Sequence, residues 1–350
     1  MKKVIIGMSG GVDSSVGAVL LKEQGFEVTG ITFKLYTKCE NLCCSDKSVL
    51  DAQDVCKRLD IKHFSSNYEE DFENKVVLNF IDEYTNGFTP NPCVECNRSI
   101  KFKHLIAEAN KLGIDYISTG HYCNIEYIDG CFVIMEGFDS NKDQSYFLYA
   151  IKEEWLSRII FPLGNFSKPM IREKAKKNNL ERVKDKKDSY EICFINGSYK
   201  DFLKERLGEM PGDIIFYPEN KIIGKHNGIY NFTVGQSRGL NIAWSHRLYV
   251  KSIHAKKNIV YVSKEEDIFA KSFLIENCNI FSIFYKRYSK ESYFSVKIRH
   301  YSKKHNCRVS IIDEKTLYIV LEESVKAITP GQSAVIYQDN IVLAGGVIYN

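Results

Sequence analysis

The hydrophobic pattern changes character along the chain. Val4-Ile5-Ile6 is a short unbroken apolar run, Val16, Val19 and Leu20 share one face of a helix that Gly25 ends, and Val28 to Phe33 reads as a second buried strand. Helical spacing returns at Val49, Ala52, Val55, Cys56 and Leu59, with Ser45 as N-cap, then at Phe72, Val76, Phe80 and Tyr84, ended near Gly87. Phe102, Leu105, Ile106 and Ala109 mark a further helix ahead of a short strand at Tyr116 to Ser118, and Asp129-Gly130 reads as a hairpin turn between two alternating runs. Strand and helix signals alternate to about Cys193, which predicts an α/β domain with a parallel sheet and helices on both faces. Beyond about Lys204 short alternating strands are punctuated by Pro211-Gly212-Asp213, Asn227-Gly228 and Gly235, an all-β texture. The expected division is an α/β domain over 1–203, a small central β domain over 204–266 and a β-barrel-like domain over 267–350.

Composition adds little to this picture except by exclusion. The 350 residues exceed one typical core, consistent with two or three domains, and a formal net charge of +4 does not by itself point to nucleic acid. No apolar window approaches membrane-spanning length and no signal segment precedes Lys3, so a cytoplasmic location and no membrane partner are expected. Eleven cysteines without a secretion signal point to thiols used in chemistry or metal binding rather than to a disulfide framework.

Between the first strand and the first helix lies Gly7-Met8-Ser9-Gly10-Gly11-Val12-Asp13-Ser14-Ser15. Glycines that tolerate unusual backbone angles, hydroxyls on Ser9, Ser14 and Ser15, and the free amides of a helix start make a phosphate cradle. It lacks the lysine of the G-x-x-x-x-G-K-[ST] loop, which points to a different use of ATP. Asp13 is suited to Mg²⁺, which takes one or two carboxylates together with phosphate oxygens. Further on, prolines stiffen Thr89-Pro90-Asn91-Pro92-Cys93-Val94-Glu95-Cys96-Asn97, and the C-x-x-C spacing suits a redox pair, half a zinc site or part of an iron–sulfur site. No second C-x-x-C or C-x-x-H follows, which disfavours a closed zinc knuckle. Cys193 stands alone and by itself reads as a core thiol.

The Ser-Gly-Gly-x-Asp-Ser loop resembles that of the PP-loop ATP pyrophosphatases. The whole chain resembles the tRNA-specific 2-thiouridylases of the MnmA type, through Gly7 to Ser15, Thr89 to Phe102, Ser118 to Tyr122, Asp139 to Leu148, Lys187 to Ile195, Gly224 to Gly228, Thr233 to Gln236 and Thr329 to Ala334. The resemblance implies an adenine nucleotide alpha hydrolase-like domain followed by two β domains. It implies that Gly7, Met8, Ser9, Gly10, Gly11, Val12, Asp13 and Ser14 bind ATP, that Phe33 and Gly120 border the adenosine, and that Cys96 and Cys193 are catalytic, with a persulfide on Cys193. Asn91, Pro92 and Cys93 then lie at the target base. His121, Lys142, Asp143, Gln144, Arg299, His300 and Gln332 match tRNA-contact positions.

The implied reaction is adenylation of the wobble uridine at its 2-oxygen, displacement of AMP by sulfur, and resolution by Cys96, with sulfur arriving from a donor or relay protein and the base flipped from its stack. Cys93 stands where relatives carry Asp, so a four-iron cluster on Cys93, Cys96 and Cys193 is the alternative sulfur route. Ser237 replaces an expected Arg, and Cys39, Cys43 and Cys44 add thiols near the loop. Rival readings are another PP-loop adenylating enzyme, or an inactive tRNA-binding protein whose cysteines hold structural metal. Two basic runs remain, Lys168 to Lys187 and the aromatic-interleaved stretch from Tyr285 to Arg308. The first reads equally as a solvated face, and the second favours phosphate contact.

Overall fold

The computed structural model describes residues 1–36, 46–184, 192–289 and 291–349. Ser45, Cys39, Cys43, Cys44 and the segment 185–191 lie outside the described residues. A strand β1 (Lys3–Gly7) feeds a helix α1 (Val12–Glu23), then β2 (Glu27–Lys34), α2 (Asp46–Arg58) and β3 (Lys62–Asn67). These strands join Tyr116–Ser118 and Ile159–Ile160 in a five-stranded sheet, every pairing parallel. Its order runs β3, β2, β1, Tyr116–Ser118, Ile159–Ile160, so the winding reverses beside β1. In open parallel sheets a ligand binds outside the strand C-termini at such a reversal. The Met8–Gly11 loop leaves β1 there.

The predicted helix through Phe72 and Tyr84 forms as Glu69–Phe72 and Leu78–Thr85 joined by a π-turn, Glu73–Val77. A second π-turn, Asn97–Lys101, directly follows the short helix Pro92–Cys96. Such widened turns occur preferentially at functional sites.

A four-stranded sheet follows in the order Tyr249–His254, Ile259–Ser263, Gly212–Phe216, Lys221–His226. In the last sheet Phe269–Ile280, Thr316–Lys326, His305–Asp313, Phe294–Lys297, Ser333–Gln338 and Ile341–Ile348 pair in sequence, and the last returns to the first, closing a barrel. The hairpin Cys123–Ile128/Cys131–Glu136 turns at Asp129-Gly130 as the pattern predicts, with φ of 51° and 76°. It does not stay with the parallel sheet. It pairs with the barrel through Met135 and Ile341, and one apolar cluster runs from Ile5 and Phe102 through Val133 and Ile134 to Ile275, Val296 and Ile336. The barrel is thereby packed continuously onto the α/β sheet.

Part of the Tyr285 to Arg308 stretch holds this junction. Lys304 Nζ donates to Glu136 Oε2 at 2.8 Å and to the Asp339 carbonyl at 2.7 Å. Lys297 lies 3.7 Å from Glu136 and 3.8 Å from Asp143, Lys286 donates to the Asp129 carbonyl, and Arg287 reaches Asp129 and Gln338. These cations clasp the hairpin to the barrel. Because Glu136 is largely buried between Lys297 and Lys304, Glu136→Ala should destabilise the protein by about 1–3 kcal/mol. Urea unfolding checks this, with exposed Lys303→Ala expected to shift the midpoint negligibly.

Candidate active site

The loop after β1 is tied to its neighbours before any ligand is considered. Met8 N donates to the Ile31 carbonyl at 2.7 Å, and the Met8 carbonyl accepts from Thr32 Oγ1 at 2.8 Å. Gly10 has φ +67° and would bring a Cβ to 2.4 Å from the Ser48 carbonyl oxygen, so only glycine fits. Gly120 is also a close-approach position, since its Cβ would stand 2.8 Å from Ser14 N. Gly120 therefore lets the end of the Tyr116–Ser118 strand abut the start of α1.

Two of the three expected donor hydroxyls are turned into the loop itself. Ser14 Oγ accepts from Ser9 N at 3.1 Å and donates to the Gly11 carbonyl at 3.3 Å, while the fully buried Ser15 donates to the same carbonyl at 2.8 Å. Ser9 Oγ meets Ser14 Oγ at 3.2 Å but stays exposed, so it and the positive N-terminal end of α1 can receive an anion.

Asp13, in the first turn of α1, is held on three sides. Tyr122 Oη donates to Oδ1 at 2.6 Å, and Lys168 Nζ donates to Oδ1 and to Oδ2, each at 2.8 Å. Lys168 is almost buried at 8% exposure, and its own backbone N–H donates to Asp139 Oδ2 at 3.1 Å. It starts the helix Lys168–Lys177, between the N-cap Ser167 and Pro169. A lysine in a helix's first turn opposes the dipole, and here Asp13 offsets that cost. The lysine missing from the loop is thus supplied from 155 positions away. A carboxylate has roughly four acceptor positions. One on Oδ2 remains, so Asp13 fits a Mg²⁺ ion completed by phosphate oxygens and water.

Phe33 stands near the end of β2 in edge contact with Tyr68 at 5.1 Å, and Tyr68 stacks on His104 at 3.7 Å. Asn91 is the N-cap of Pro92–Cys96 and adjoins Tyr146, whose hydroxyl donates to the Ser333 carbonyl at 2.8 Å. Cys96 is buried at 3% exposure, Cys193 is half-buried, and Cys93 is exposed. Cys96 and Cys193 pack on one apolar cluster with Leu35, Phe72, Ile100 and Ile195. Phe194 anchors that side among Phe72 at 5.7 Å, Phe80 at 5.4 Å and Phe202 at 5.7 Å. Among the described residues no three Cys, His, Asp or Glu side chains gather as metal ligands.

Several residues matched to tRNA contact also bond within the chain. Asp143 is 3% exposed, because its oxygens accept from Gly137 N, Ser145 N and Ser145 Oγ and so shape the loop around it. Gln144 Oε1 accepts from Tyr122 N at 3.0 Å, fixing the tyrosine that holds Asp13, and half-buried Lys142 closes a turn onto the Asp139 carbonyl through its N–H. Gln332 Nε2 donates to the Thr89 carbonyl at 2.9 Å, tying the barrel to the start of the C-x-x-C segment. Arg299 keeps an exposed side chain, yet its Nη2 donates to the Ala327 carbonyl at 3.1 Å and to Thr329 Oγ1. His121 is boxed between Phe102 and Phe161 and bonded to Thr119 Oγ1 at 2.7 Å.

Burial, and secondarily Lys101, lowers the His121 pKa from 6.5 to about 3; burial and then Lys297 lower that of His300 from 6.5 to about 4. Between pH 6.5 and about 4 the unfolded chain binds these protons and the folded chain does not. Stability should therefore be full above pH 6.5 and decline as pH falls through that window. Denaturant midpoints at pH 7 and pH 5 check this, and His121→Gln should shrink the difference; an unchanged difference would contradict it.

Comparison with known proteins places this geometry. A model described as "tRNA methyl transferase HUP domain" matches residues 2–197, "tRNA methyl transferase PRC-barrel domain" matches 200–264, and "Aminomethyltransferase beta-barrel domain" matches 270–348. The chain is 42% identical to the tRNA-specific 2-thiouridylase MnmA of Clostridium acetobutylicum, over 99% of both chains. It is 40% identical to that of Clostridium botulinum, over 99% of this chain and 98% of the relative. The chain belongs to the tRNA-specific 2-thiouridylase family. In this chain the residues that sequence reading missed are Lys168 and Tyr122, partners of Asp13. The signal for Lys168 was a cation at a Ser-x-Pro helix start, a local rule broken without a local reason. No described helix is long and apolar enough to cross a membrane.

Proposed function

We propose that the chain catalyses ATP-dependent 2-thiolation of the wobble uridine of tRNA, with residues 1–203 binding ATP and performing the chemistry, 204–266 as a central support and 267–350 contacting tRNA. The observation that carries this reading is the pairing of an Asp13–Lys168 phosphate loop with two cysteines, Cys96 and Cys193, on one apolar cluster. Sulfur transfer uses both thiols, one to carry the sulfur and one to release it.

In this mechanism the triphosphate lies at Ser9 and the N-terminus of α1, with Phe33 and Gly120 along the adenosine. Asp13 would hold Mg²⁺, which neutralises phosphate charge. The uracil 2-oxygen attacks the α-phosphorus, pyrophosphate leaves, and the N3 proton goes to solvent. Lys168 stabilises the negative charge that builds on the phosphates, an electrostatic contribution usually worth several kcal/mol. The outer sulfur of a Cys193 persulfide, loaded by a donor or relay protein, then attacks C2, and AMP departs with the former uracil oxygen. Cys96 thiolate attacks the inner sulfur of Cys193, the sulfur–sulfur bond to the base breaks, and 2-thiouridine leaves. The Cys96–Cys193 disulfide formed is reopened by external thiol. Asn91, Pro92 and Cys93 flank the flipped base.

Purified protein incubated with ATP, unmodified tRNA and a persulfide donor tests the reading. Pyrophosphate release should require tRNA, and nucleoside mass spectrometry should find 2-thiouridine. Pyrophosphate without 2-thiouridine, in the presence of donor, would favour another adenylating activity.

A further inference from the structure

In the central β domain, residues 237–248 form a loop whose two ends are tied together. Gly235 N donates to the Val250 carbonyl and Val250 N to the Gln236 carbonyl, each at 2.8 Å. Closed surface loops of this kind frequently carry function. This one curls around a cavity of about 540 Å³, lined by Ser237, Trp244, His246 and Arg247 among others. That volume lies in the range of small-ligand sites. Ser237, where the resemblance implies an arginine, contributes only a short side chain to the wall.

The groups facing the cavity are suited to a nucleotide. The indole of Trp244 is half-buried and braced on Phe216 at 5.0 Å, and its N–H has no hydrogen-bond partner among the described residues. His246 Nδ1 is engaged by Ser245 Oγ at 3.0 Å, so Nε2 remains for another partner. The guanidiniums of exposed Arg238 and Arg247 make no hydrogen bond or ion pair among the described residues, and Glu265, which feels the charge of Arg247, bonds to Lys326 instead. An aromatic ring for stacking beside unpaired guanidiniums for phosphate is the chemistry that holds single-stranded RNA. An acidic peptide would use the cations and leave the indole without a role.

The loop also starts beside the target-base segment. Thr89 Oγ1 donates to Thr233 Oγ1 at 3.3 Å, Arg299 Nη2 reaches the Val234 carbonyl at 3.4 Å, and a Cβ on Gly87 would stand 2.9 Å from Ile253. Ser237 follows Thr233 by four residues, a span of at most about 14 Å. A nucleotide in the cavity is therefore a near neighbour of a uridine held at Asn91 and Pro92. We propose that the 237–248 loop binds a nucleotide flanking the target uridine, with its base stacked on Trp244 and its phosphate at Arg247. The proposal rests on the thiolation reading above. Stacking the neighbour on the protein offsets part of the cost of taking the target base out of its own stack.

The chain has two tryptophans, so Trp155→Phe leaves Trp244 as the single indole emitter. Unmodified tRNA titrated into that protein should quench its fluorescence saturably. The same tRNA with abasic sugars on both sides of the target uridine should bind about tenfold more weakly and leave the emission unquenched. Arg247→Gln should reduce the salt dependence of tRNA binding by about one counterion. Quenching that persists with both flanking bases removed overturns the proposal, as does a Trp244 emission unchanged by a tRNA that the same protein thiolates. Quenching by polyglutamate and not by tRNA would assign the loop to an acidic peptide and also overturn it. Absence of any thiolation by wild type removes the underlying function as well.

Discussion

Lys168→Met should reduce tRNA-dependent pyrophosphate release by about 10²- to 10³-fold, the range seen when one preorganised charge-stabilising donor is removed. The side chain bridges both oxygens of Asp13 at 2.8 Å. Removing it takes away a cation bonded directly to the loop's aspartate. Asp13→Asn should be comparably inactive, because the neutral amide holds neither Lys168 nor a metal ion as a carboxylate does. The two variants differ in stability. Asp13→Asn takes a carboxylate away from an almost buried ammonium and should unfold at lower denaturant. Lys168→Met keeps the apolar stem and leaves a carboxylate that is one-third exposed, so its cost should be smaller. Full pyrophosphate release by either variant would separate this ion pair from the chemistry.

Cys193→Ser should abolish 2-thiouridine formation, a loss of more than about 10³-fold expected when the nucleophile itself is removed, while tRNA-dependent pyrophosphate release continues. Cys96→Ser should likewise form the adenylate and should stall with the base attached to Cys193 through sulfur. That adduct is detectable by mass spectrometry of the intact protein and is released by added thiol. Cys93→Ala should still form 2-thiouridine, since the sulfur steps need only Cys96 and Cys193. Iron and sulfide analysis after anaerobic purification is expected to find neither. Iron-dependent activity lost in Cys93→Ala would instead favour the cluster route.

The phosphate loop was legible because its determinants are contiguous. An apolar strand, two glycines and a helix start occupy successive positions, so the local pattern alone implies the geometry. The two cysteines were legible as positions, but not the aromatic nest around Phe194 that sets one against the other's cluster. Lys168 was hidden in a basic run that reads as a solvated helix face, and only long-range packing brings it to Asp13. Asp143, Gln332 and Arg299 show the converse. A motif marks the position but not the direction of the side chain, and here hydrogen bonds tie these groups to nearby carbonyls, amides and hydroxyls, with Arg299 still exposed. The hairpin at Asp129-Gly130 was predicted correctly from its turn, yet its allegiance to the barrel depends on Met135 pairing with Ile341, a contact that no local pattern encodes. For the same reason the basic residues near Lys297 and Lys304 read as a phosphate surface, whereas Glu136 on that hairpin engages them.

The most direct measurement follows one oxygen atom. A tRNA carrying oxygen-18 at C2 of its wobble uridine is turned over once with ATP and a persulfide donor, and both products are weighed. Adenylation at the 2-oxygen predicts 2-thiouridine and AMP in equal amounts, with the heavy oxygen in the AMP. Unlabelled AMP, or a base that keeps its oxygen-18 while ATP is cleaved, would contradict the account.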